Sequence, residues 1–97
     1  MTLSGKQKRY LRSLAHHESA LFQIGKNGLT DNFIKQIKDV LEKRELIKIS
    51  VLQNCLEDKD SIAESLVNET ASELVQIMGN TIVLYKESQE HKSIDLP

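Results

Sequence analysis

Gly25-Lys26-Asn27-Gly28 is the segment of this 97-residue chain whose residue types and spacing best suit a phosphate. A strand-like run, Ala20-Leu21-Phe22-Gln23-Ile24, precedes it, and an amphipathic helix opens behind it near Thr30. Glycines let the backbone approach a ligand closely and take conformations that a side chain forbids. A helix start points unpaired N–H groups and a partial positive charge at the loop before it. Lys26 adds a mobile full charge, so loop, lysine and helix start together form a phosphate seat. The longer glycine spacing and the Lys-Ser/Thr pair of a Walker loop are missing, as is the third glycine of a dinucleotide fingerprint. ATP and NAD chemistry are therefore not expected, and the phosphates of an RNA backbone are.

Other reactive residue types lack partners at useful spacing. His16 and His17 are adjacent and project in different directions from a helix, which suits helix-end capping or a weak RNA contact better than a shared metal. Cys55 has no CxxC and no neighbouring Cys/His set, and no base to activate it. Glu57, Asp58 and Asp60 crowd a polar stretch and read as a solvated acidic surface. Tyr10, Phe22, Phe33 and Tyr85 are too few for a stacking platform; Phe22 and Phe33 are expected in the core. No catalytic residue, metal ligand or cofactor is expected, and recognition should favour RNA backbone and shape over bases.

The elements that must position the loop follow from caps and periodicity. Ser4-Gly5-Lys6-Gln7 has capping-box spacing, and Leu11, Leu14 and Ala15 follow at helical intervals, predicting a helix over about 4–16. Its remaining faces carry Lys6, Lys8, Arg9 and Arg12, with no acid before Glu18. Residues 19–24 read as a strand. Thr30 caps a helix over 31–44 whose stripe is Phe33, Ile34, Ile37, Val40 and Leu41, with Leu29 and Ile34 as a staple. Residues 46–52 form a second strand, and the strand–helix–strand series favours a parallel pair. Ser61-Ile62-Ala63-Glu64 reads as a capping box opening a third helix. Residues 73–78 and 81–86 form a hairpin about Gly79-Asn80, and residues 87–97 a polar, flexible tail. The order α-β-α-β-α-β-β predicts one two-layer α/β domain with a small mixed four-stranded sheet.

Charge separates along the chain. Residues 1–48 hold ten Lys/Arg against five Asp/Glu, a balance of +5, and residues 49–97 hold three against nine, a balance of −6. The net charge of −1 thus conceals a basic half that contains the glycine loop. One cysteine fits a reducing compartment, and with no apolar leader or membrane-length run a cytoplasmic monomer is expected.

Ile24-Gly25-Lys26-Asn27-Gly28 is similar to the clamp loop of KH domains, but that loop joins two helices, whereas here a strand leads in. A closer resemblance spans residues 2–86. Leu3 to Arg12, Gln23 to Thr30, Glu45 to Ile49 and Glu73 to Tyr85 resemble, in order, four blocks of CRM-domain proteins of the bacterial YhbY-like type. The resemblance implies a fold like the C-terminal domain of bacterial translation initiation factor three. It also implies RNA binding, with stand-alone bacterial members associated with precursors of the large ribosomal subunit. Gly25, Lys26, Asn27 and Gly28, with Thr30 behind them, would form the RNA-contacting loop, and Lys6, Lys8, Arg9 and Arg12 the basic helix. One position departs: the family often has Arg or Lys after the turn glycine, where this chain has Asn80, so no secondary basic contact is expected there. The alternative is a protein-interaction module whose acidic C-terminal half docks a basic ribosomal protein.

Overall fold

The glycine loop lies where a parallel strand ends at the edge of a four-stranded sheet. A computed structural model describes residues 2–97. The elements run α1 (Gly5–Ala15), β1 (Phe22–Ile24), α2 (Asp31–Arg44), β2 (Leu46–Val51), α3 (Lys59–Thr70), β3 (Glu73–Met78) and β4 (Thr81–Tyr85). The strand order is β1-β2-β4-β3, with β1 parallel to β2 and the other two pairs antiparallel. Class, element order and mixed sheet are those the sequence predicts.

The caps account for most of the boundaries. Ser4 and Gln7 form the reciprocal box, with Gln7 N–H donating to Ser4 Oγ at 3.1 Å and Ser4 N–H to Gln7 Oε1 at 3.0 Å. Thr30 Oγ1 accepts from Phe33 N–H at 3.1 Å. The expected Ser61 box does not form. Ile62 N–H already donates to the Asp58 carbonyl at 3.0 Å, so α3 starts at Lys59 and Ser61 falls within its first turn. The first strand is shorter than 19–24, because only Phe22–Ile24 pairs with β2. Gly79 alone of the two hairpin residues takes a positive φ, 59°, as a II′ turn requires.

Two layers are expected, but the sheet carries helices on both faces. β4 is apolar at consecutive positions from Ile82 to Tyr85, so neither of its faces can be left to water. Ile47, Ile49, Ile82 and Leu84 pack with Ile37 and Leu41 of α2 and Ile62 and Leu66 of α3. Leu46, Val83 and Tyr85 pack on the opposite side with Leu11 and Ala15 of α1. The deep aromatic is Tyr85; Phe22 and Phe33 are half-buried at the edge of the first cluster, ring edge to ring face, with centroids 5.7 Å apart. Burial pushes the Tyr85 hydroxyl above its ordinary value, and the Glu45 and Glu87 charges add to this.

Residues 87–97 form no helix or strand, yet they are not loose. The segment wraps two carboxylates at the end of α2. Glu45, fully buried, accepts from Ser88 N–H at 2.8 Å, Ser93 N–H at 2.7 Å and Ile94 N–H at 2.9 Å. Glu42 accepts from Ser88 Oγ–H and, at 2.9 Å, from Gln89 N–H. Ile94 and Leu96 then pack against the α1 cluster.

Candidate nucleic-acid interface

The loop is built as a turn. Gly28 N–H donates to the Gly25 carbonyl at 3.0 Å, which puts Lys26 and Asn27 at the exposed corners. The two glycines serve different needs. Gly28 has φ +62°, a backbone that L side chains rarely adopt. Gly25 lies under the next loop, where a Cβ would come within 3.3 Å of Asn54 Oδ1. Behind the turn, Thr30 and the first turn of α2 follow directly. The Thr30 oxygen is engaged by Phe33, so it shapes the helix start, and the Asp31 and Asn32 N–H groups remain without partners among the described residues.

An acid stands at this seat that the sequence reading treats only as solvated surface. Because β1 and β2 are parallel neighbours, the loops leaving both strands lie side by side. Leu52 N–H donates to the Ile24 carbonyl at 2.8 Å, and Glu57 Oε1 sits 2.6 Å from where a Gly28 Cβ would be. A carboxylate at this place would oppose a phosphate on the turn. Glu57→Gln should therefore tighten binding of single-stranded RNA about threefold at low salt, an advantage that shrinks as salt screens the charge. Fluorescence anisotropy at two salt concentrations checks this; unchanged or weaker binding would separate Glu57 from the site.

α1 lies across the opposite sheet face from α2, and its basic residues divide. Arg9 and Arg12 come together with His16 on the flank of the helix that overhangs the sheet, and Lys48 of β2 joins them in a groove of about 300 Å³. Lys6 and Lys8 lie on the same helix but do not line the groove. Lys48 Nζ donates to the Glu18 carbonyl at 3.2 Å. Among the described residues none of Lys6, Lys8, Arg9, Arg12, Lys26 or Lys48 has a carboxylate within 4.0 Å. Alternation along β2 places Ser50 on the same face as Lys48, and Gln23 of β1 is opposite Ser50. A polar strip therefore runs from the groove toward the glycine turn, a span of about 13 Å at the rise of a strand. Lys48 was legible in principle: it is a lysine between Ile47 and Ile49 in a strand whose other face is wholly apolar. At the hairpin turn, where Asn80 brings no charge, Lys59 of α3 reaches over and donates to the Gly79 carbonyl at 2.6 Å.

Among the described residues no group of three or more His, Cys, Asp or Glu side chains could hold a metal ion, and no helix is long and apolar enough to cross a membrane. Cys55 is half-buried, with Sγ 3.7 Å from the Glu57 carbonyl.

Known proteins resemble this chain over nearly its whole length. Residues 3–86 match the family model described as the CRS1 / YhbY (CRM) domain. The chain is 65% identical over 95 residues to a Bacillus subtilis protein named "Probable RNA-binding protein YqeI", covering 98% of this chain and 99% of that one. It is 43% identical over 96 residues to a Haemophilus influenzae protein named "RNA-binding protein", covering 99% and 96%. The solution structure of SAV1595 from Staphylococcus aureus superposes with a TM-score of 0.82 at 60% identity, covering 99% of this chain and 100% of that one.

Proposed function

We infer that this chain, which belongs to the CRS1 / YhbY (CRM) domain family, is an RNA-binding protein that holds RNA by its backbone and does not transform it. The observation that carries the reading is the pairing of a glycine turn at a helix start with a face of cations that have no carboxylate partners among the described residues. The names of the Bacillus subtilis and Haemophilus influenzae relatives support the ligand class. Gly25, Lys26, Asn27 and Gly28 receive one stretch of phosphates, and Lys6, Lys8, Arg9 and Arg12 another. The RNA is ribosomal, and the protein acts as a cytoplasmic monomer on precursors of the large subunit. The acidic exposed side of α3 keeps RNA from wrapping the whole domain.

Lys26→Ala tests the loop. It should weaken RNA binding and lower the salt slope by about 0.7, the loss of one phosphate contact on a single strand. An unchanged slope would remove Lys26 from the interface. Docking on a basic ribosomal protein through the acidic half would instead survive RNase and reversal of Lys6, Arg9 and Lys26 in a ribosome sedimentation assay.

A further inference from the structure

We propose that the groove between α1 and the sheet takes one unpaired RNA nucleotide. Its base lies on Met78 and against Gln76, while Arg9, Arg12 and Lys48 hold the adjoining phosphates. This rests on the RNA-binding reading above and adds the class of RNA: single strand with free bases, not duplex.

The groove has a floor as well as charged walls. A register shift between Leu74 and Gln76 turns consecutive β3 residues to the same side. Val75 is buried under α1, and Gln76 lies beyond it on the groove floor. Met78 ends the strand 52% exposed, although its neighbour Ile77 is packed in the core on the other face. An exposed thioether is a soft, polarisable surface that suits an aromatic ring. The half-buried Gln76 lines the groove, and its carboxamide takes part in none of the side-chain hydrogen bonds among the described residues, which leaves its N–H donors and its carbonyl to a ligand. Such an amide can pair with the edge of a base. Duplex RNA keeps its base edges stacked and paired, and only an unpaired base can be laid into a groove of this kind. The cations supply the complementary charge: Arg9, Arg12 and Lys48 are uncompensated by carboxylates among the described residues, and Lys48 spends one of its three donors on the Glu18 carbonyl. An acidic peptide would satisfy these cations but would leave Met78 and Gln76 without a role.

The test is a methyl NMR titration of the full chain. Met78 is one of only two methionines, so labelling methionine methyls gives a direct probe of the groove. The probes are a single-stranded adenosine octaribonucleotide, an RNA duplex of equal length and hexaglutamate. The single strand should shift the Met78 methyl upfield by ring current, and neither the duplex nor hexaglutamate should. Gln76→Ala should weaken single-strand binding about fivefold, the range expected for loss of one hydrogen bond, and leave the salt slope unchanged. Gln76→Glu, which keeps the shape, should weaken it further, and thermal melts confirm that both variants fold. If the octamer binds and Lys26→Ala weakens it, but the Met78 methyl stays still, the groove proposal falls and the RNA-binding reading stands. If the duplex binds as tightly as the single strand, the single-strand class is wrong. If only hexaglutamate moves the methyl, the groove takes an acidic peptide and the groove proposal fails; if no RNA binds, both readings fail.

Discussion

Gly28→Asp is expected to weaken binding of single-stranded RNA by about tenfold or more while the domain stays folded, since three effects act together at one exposed turn. The residue sits at φ +62°, where any side chain adds strain, although aspartate tolerates this region better than most residues. Its new Cβ would fall 2.6 Å from Glu57 Oε1, so that side chain must swing away, and the two carboxylates would repel. The added charge also stands at the seat proposed for a phosphate. Strain and repulsion are confined to the exposed turn, so the melting temperature should fall by only a few degrees, the cost of about 1 kcal/mol in a domain of this size. Gly28→Ala separates the contributions: it keeps the strain and omits the charge, and should lose much less affinity. Equal losses for the two variants would show that turn shape, not charge, governs the site.

Glu45→Ala should be the most destabilising single change outside the apolar core. The carboxylate is fully buried and receives the N–H groups of Ser88, Ser93 and Ile94. Removing it leaves these donors to find water at a buried position, a cost of about 3 kcal/mol. That corresponds to a drop in melting temperature of roughly 10–20 °C for about a hundred residues. Hydrogen exchange should rise at Ser88, Ser93 and Ile94 first. Acid should act on the same contacts. Burial pushes the Glu45 carboxyl up, but the Ser93, Ser88 and Ile94 N–H groups outweigh it and hold it below the ordinary value of 4.5. Glu42 is held at about 2, chiefly by the Gln89 N–H and the Ser88 hydroxyl. Both carboxylates therefore contribute stability that is complete above the ordinary carboxylate value; that of Glu42 is lost as pH falls toward about 2, and that of Glu45 as pH falls through its own lowered value. A Glu45→Ala protein with the wild-type melting temperature and unchanged exchange would contradict the described packing of the C-terminal segment.

Local signals account for what could be read in advance. α2 was legible from end to end because Leu29, the Thr30 cap and the Ile37/Leu41 stripe all lie within one continuous stretch of chain. The Gly79-Asn80 hairpin and the Ser4 box were legible for the same reason. What was missed depends on contacts far apart in the chain. The C-terminal segment looks polar and loose until Glu45, more than forty residues earlier, supplies its acceptors. Glu57 reads as ordinary acid until the parallel pairing of β1 and β2 brings it over Gly28. The Ser61 box failed because its spacing is satisfied equally well inside a helix that starts earlier. The second helical layer was in fact written in β4, where Ile82, Val83, Leu84 and Tyr85 leave no polar face. Lys48 reads as one more residue of a strand until the sheet register makes it the one charge on its face of β2.

The central claim is that the glycine turn and the α1 face hold ribosomal RNA. Crosslinking in living cells, with sequencing of the bound RNA, tests it most directly when wild type is compared with a Lys6→Glu, Arg9→Glu, Lys26→Glu triple variant. The account predicts large-subunit ribosomal RNA bound to the wild type and lost from the folded variant. Absence of ribosomal RNA from the wild type, or equal crosslinking by the two proteins, would contradict it.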